Sequence, residues 1–81
     1  MGSGLKTLSG KDLVIILANF GFELIKQRGS HMKVRRIVSG HNETLIIQND
    51  KIIPVGTLKS IFNQASKYIP KEDLYKHFYN E

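Results

Sequence analysis

Three short β-prone runs lie back to back in the middle of this chain, and the segments between them are too short for any two to run parallel. Phe22 to Gln27, His31 to Val38 and Thr44 to Ile47 are separated only by Arg28-Gly29-Ser30 and by Ser39-Gly40-His41-Asn42-Glu43. A parallel pair needs a crossover of roughly a dozen residues or more, so neighbours this close must pair antiparallel. Gly29 can take the positive φ that a tight turn demands. The middle of the chain therefore reads as a three-stranded meander.

Helical patterns flank it. Ser9 reads as an N-cap, with Asp12 three residues on as its capping-box partner. Leu13, Ile16, Leu17 and Phe20 follow at helical spacing, and Gly21 stands where a helix ends. This predicts a first helix over Gly10 to Phe20. After a loop from Gln48 to Pro54, Gly56-Thr57 opens a second helix, with Thr57 as N-cap and Leu58, Ile61, Phe62 and Ala65 on one face. Pro70 is suited to the first position of a last helix, and Glu72 and Asp73 complement its positive end. Leu74, Phe78 and Tyr75 are expected to face inward.

The order is thus α-β-β-β-α with a short extra C-terminal helix, an α+β fold around an antiparallel three-stranded sheet. Helices at both ends of the meander cover one face of the sheet and leave the other open. Double-stranded-RNA-binding domains have this arrangement, and the fold alone assigns no function. At 81 residues the chain is one domain, read here as residues 9–81, with residues 1–8 as a flexible lead-in.

Composition narrows the chemistry. There is no cysteine, which excludes a disulfide framework and a thiol nucleophile and fits a reducing compartment such as the cytoplasm. The longest apolar run, Leu13 to Ala18, is far short of a membrane span. No paired histidines or grouped acids suggest a metal site, and no cofactor motif is present. Twelve Lys and Arg face seven Asp and Glu, and the excess is uneven: Leu24 to Asn42 holds no acid but has Lys26, Arg28, Lys33, Arg35 and Arg36. Such a block attracts polyanions such as RNA, DNA or an acidic protein.

Side chains alternate along a strand. If Met32 and Val34 face the helices, then His31, Lys33 and Arg35 share the open face, beside the Arg28-Gly29-Ser30 turn. Arg36 breaks the apolar alternation, through snorkelling or a bend of the strand. A histidine among cations has a definite use on RNA, which carries its own nucleophile. A neutral imidazole can take the 2′-hydroxyl proton while Arg and Lys stabilise the charge growing on the phosphate. A plain basic RNA-binding face with no chemistry fits the same residues. His41 and His77 read as a solvated loop residue and a residue of the last helix.

Four segments, in order and spacing, resemble the HicA (YcfA-like) toxin family: Leu8-Ser9-Gly10-Lys11-Asp12-Leu13, Phe20-Gly21-Phe22, Gly29-Ser30-His31, and Gly56 to Ala65. The resemblance implies the double-stranded-RNA-binding fold and an mRNA interferase of a type II toxin–antitoxin system, which cleaves RNA and arrests translation and growth; with no metal-ligand pattern in the chain, the reading is a metal-independent endoribonuclease. It implies that His31 is catalytic; the open-face reading adds Arg28, Lys33 and Arg35, with the Gly29-Ser30 turn that lets the backbone come close, as the residues that bind RNA. The resemblance further implies a HicB-like antitoxin that masks the active site, in a complex that can grow to higher order. One departure stands out. Many members carry Pro-x-His after the third strand, where this chain has Gln48-Asn49-Asp50.

Overall fold

The computed structural model describes residues 4–80. Six elements follow in the order expected: α1 (Gly10–Ala18), β1 (Glu23–Arg28), β2 (His31–Val38), β3 (His41–Gln48), α2 (Val55–Ala65) and α3 (Lys71–Phe78). The strands form one antiparallel sheet in the order β1-β2-β3. α1 packs on β1 and β3, and α2 packs on β3.

Local chemistry sets the boundaries. At the start of α1 the Ser9 side chain accepts from Asp12 N–H at 3.0 Å, and Ser9 N–H donates to the Asp12 carboxylate at 2.9 Å. The helix is two residues shorter than its apolar pattern suggests. Asn19 caps it, and Gly21, at φ +94°, turns the chain toward the sheet. The second hairpin is tighter than the sequence suggests. Its turn is only Ser39-Gly40, with φ of +52° and +80°, the two left-handed residues that match the twist of the strands. β3 therefore begins at His41, which pairs with Val38.

α2 begins at Val55 with Pro54 as its cap, so Thr57 is not the N-cap but lies within the first turn. Pro70 likewise caps α3 rather than occupying its first turn. In both cases the fixed φ of proline lets its carbonyl open the helix: Pro54 accepts from Leu58 N–H at 2.8 Å and Pro70 from Leu74 N–H at 3.1 Å. Tyr75 does not face inward. It is exposed and stacks on Tyr79 with ring centroids 4.4 Å apart.

Residues 5–8 are tied to the fold rather than loose ahead of it. Leu5 bridges to Tyr79, Lys6 N–H donates to Phe78 C=O at 2.7 Å, and Ile53 N–H donates to Leu8 C=O at 2.8 Å. The expectation for residues 1–3 lies outside the described residues.

One apolar core lies between sheet and helices. Met32, Val34, Leu45 and Ile47 point into it from the sheet, Leu13 and Leu17 from α1, Leu58, Ile61, Phe62 and Ala65 from α2, and Leu74 and Phe78 from α3. Arg36 continues the inward column of Met32 and Val34 at the rim of this core. Its guanidinium donates to Phe20 C=O at 2.7 Å, to Tyr68 C=O at 2.6 Å and to the Glu43 carboxylate, and it lies over the Phe22 ring at 5.0 Å. The alternation is intact at Arg36. Its charge is satisfied by the Glu43 carboxylate and by carbonyls of the turns that follow α1 and α2.

Candidate active site

The face of the sheet turned away from the helices is open. Inward Met32, Val34, Leu45 and Ile47 fix by alternation what this face carries. The strand register arranges it in rungs. Arg28, His31 and Gln48 form one, Lys26, Lys33 and Ile46 the next, and Glu23, Arg35 and Thr44 the third. The register slips by one residue at Ile25, a bulge in β1 that keeps both Glu23 and Lys26 on this face.

A cavity of about 170 Å³ opens at one end of this face, lined by Lys26, Arg28, His31, Lys33 and Ile46. His31 is exposed within it, directly across from Arg28. The turn that closes this end is held from behind. Gly29 takes φ +58°, and Ser30 C=O accepts from Asn49 N–H at 2.7 Å. That bond ties the β1–β2 turn to the chain leaving β3. Here Gly10 also presses on β3, with its N–H donating to Asp50 C=O at 2.9 Å. A Cβ on Gly10 would fall 2.1 Å from Gln48 C=O, so only glycine allows this approach.

The cavity end of the face is cationic, and Glu23, an acid on this face, stands opposite Arg35 two rungs from His31. Among the described residues the ion pair is Arg36–Glu43, on the inner side of the sheet. Lys26, Arg28, Lys33 and Arg35 have no such partner. Lys26 stands directly opposite Lys33, a pairing of like charges that costs stability in the free protein. A polyanion laid over the face relieves that cost.

Of the residues singled out in the sequence, His31, Arg28 and Lys33 come together in the cavity, and Gly29 and Ser30 form the turn at its end. Arg35 lies one rung further along β2, half-buried and outside the cavity lining. His41 is at the far end of the β2–β3 ladder, roughly 23 Å of strand from His31. His77 is on the helix side, edge-on to Phe20 with ring centroids 5.5 Å apart. Burial, with Lys76 and Lys6 nearby, holds its pKa below the ordinary 6.5. Neither histidine reaches His31. The place of the Pro-x-His departure begins at Gln48, directly across from His31.

Lys26, which the sequence places only in the basic block, and Ile46, which it places only in a strand, also line the cavity. Hairpin arithmetic identifies both: a two-residue turn at Gly29-Ser30 sets Lys26 opposite Lys33, and one at Ser39-Gly40 sets Ile46 opposite Lys33. Reading the two turns as three and five residues hides both pairings, since Arg28 belongs to β1 and His41 begins β3.

Residues 10–66 match the family model described as the HicA toxin of bacterial toxin–antitoxin systems. The matched segment contains α1, the sheet and α2, and with them every residue of the cavity. No curated protein and no solved structure matches the chain.

Proposed function

The chain belongs to the HicA toxin family, and from that premise we propose that it is an endoribonuclease that cuts messenger RNA without a metal ion, with His31 moving the proton. The observation that carries this reading is the setting of His31: an exposed imidazole in a cavity whose other polar residues are Lys26, Arg28 and Lys33. His31 takes the proton of a ribose 2′-hydroxyl, whose oxygen attacks the adjacent phosphorus. The bond from phosphorus to the 5′-oxygen breaks, and that oxygen takes a proton from water, which reaches this open face. The products are a 2′,3′-cyclic phosphate and a 5′-hydroxyl. Arg28 and Lys33 stabilise the charge on the phosphoryl oxygens, Arg35 holds the strand further along, and the Gly29-Ser30 turn lets the RNA backbone approach.

Toxin-family membership implies an antitoxin. A HicB-like protein presenting acidic groups to the cationic face, in the cytoplasm and with room for larger assemblies, fits that role. Among the described residues no helix is long and apolar enough to cross a membrane.

The test is induced expression of the wild-type chain and of His31→Ala in a bacterium, following growth and message integrity, with purified protein assayed in a metal chelator. Wild type should arrest growth and degrade messages, and His31→Ala should do neither while keeping its thermal midpoint. Loss of a general base lowers rates by about 10²–10⁴-fold. Cleavage by His31→Ala at the wild-type rate overturns the mechanism. A second reading, an RNA-binding module without cleavage, is favoured by one observation: neutral Gln48, not a second ionisable group, faces His31 from β3. It predicts intact messages with wild type and RNA affinity that survives His31→Ala.

A further inference from the structure

The open face is divided lengthwise. The β1 and β2 columns carry Arg28, Lys26, His31, Lys33 and Arg35, with Glu23 opposite Arg35 at the end away from the cavity, and the β3 column carries Gln48, Ile46 and Thr44, none of them charged. Ile46 is 46 % exposed and lines the same cavity as the cations. Phosphates belong on the first two columns. An apolar shelf between two hydrogen-bonding side chains suits a base.

We propose that this face takes a single RNA strand running along β2, with its phosphates over β1–β2 and an unstacked base on Ile46, and that Gln48 and Thr44 read that base's edge. The proposal rests on RNA being the polyanion named above and adds the form of RNA and the residues that select it. The Arg28–His31 rung holds the phosphate that is cut, and the Lys26–Lys33 rung holds its neighbour. Same-face rungs are roughly 6.7 Å apart, so each can serve its own phosphate. A duplex does not fit this division. Its bases are stacked inside, and duplex recognition spreads contacts over about 16 base pairs and two minor grooves. Here the cations gather at one small cavity beside a neutral column. Single-strand readers, by contrast, combine a charged track with a surface for splayed bases.

The test separates binding from cutting. A short, labelled RNA with 2′-fluorine in place of each 2′-hydroxyl cannot supply the nucleophile. Its binding to the full chain is followed by fluorescence anisotropy, alone and annealed to its complement. The single strand is expected to bind about tenfold tighter than the duplex, the equivalent of 1.4 kcal/mol. Ile46→Ala and Gln48→Ala should each weaken single-strand binding severalfold. Both residues are exposed or half-exposed, and circular dichroism checks the fold. Ile15→Ala, which changes an isoleucine 64 % exposed on α1, on the helix side of the sheet, should leave binding unchanged. Lys26→Ala should lower the salt dependence by about one phosphate contact. Tighter binding of the duplex, or single-strand binding indifferent to both Ile46 and Gln48, overturns the proposal. Because the probe is not cut, a chain that fails to cleave RNA yet prefers the single strand would refute the ribonuclease reading and leave this one standing.

Discussion

Lys26 sets stability against the binding proposed above. Opposite Lys33 it costs the free protein stability, because like charges directly across a ladder repel. Lys26→Thr should therefore raise the urea midpoint by the equivalent of about 0.2–1 kcal/mol, while weakening RNA binding in the same preparation. A midpoint that falls would show that Lys26 is not repelled. Gly10 is the opposite kind of residue, placed for space alone. Gly10→Ala would drive a Cβ into the Gln48 carbonyl and should cost about 2–3 kcal/mol, as overpacking does, measured by chemical denaturation. The outward setting of His31, Lys33 and Arg35 was legible from Met32 and Val34, since alternation leaves no choice. The role of Gly10 was not legible, because a glycine at a helix start looks the same whether or not another backbone presses on it.

Among elements, β2 does the most joining. It is the central strand, and through Arg36 it also ties the ends of α1 and α2 to the sheet. Arg36→Met should leave Phe20 C=O, Tyr68 C=O and the half-buried Glu43 carboxylate without their donor. The expected cost is about 1–3 kcal/mol. The double change Arg36→Met with Glu43→Leu should recover part of it, since the uncompensated charge is then gone. Thermal midpoints of wild type, both single variants and the double variant check this as a cycle. Element order and the meander could be read in advance because short connections permit nothing else. Arg36 could not be placed, because its partners lie 16 and 32 residues away and carry no pattern linking them to it. The length of the second turn was misjudged for a related reason. Ser39 takes a positive φ that glycine usually supplies, so the polar run after it read as more turn than there is.

At the scale of the molecule, the helix layer holds a histidine whose titration is coupled to folding. His77 has its pKa held below 6.5 by burial first and by Lys76 and Lys6 after that. A base with a lowered folded-state pKa binds its proton more readily when unfolded. The share of stability it supports is therefore present above about pH 6.5 and is lost as pH falls through the folded value. Urea midpoints should drop between about pH 7.5 and about pH 5.5, and His77→Phe, which keeps a ring against Phe20, should flatten that drop. An unchanged slope would assign the pH response to other groups. The tie between the two ends of the described chain has a different consequence. Leu5 and Lys6 lie against Tyr79 and Phe78, and Asn80 N–H donates to Gly4 C=O at 2.8 Å. The chain thus comes close to a closed loop. Joining these ends and opening the chain instead at the exposed Ser39-Gly40 turn gives a circular permutant with the β1–β2 hairpin intact. Severing both places gives two fragments, one carrying α1, β1 and β2 and the other β3, α2 and α3. Neither alone lines the whole cavity, since Ile46 is on one fragment and Lys26, Arg28, His31 and Lys33 on the other, so on the reading proposed above such a toxin would be armed only when its halves meet.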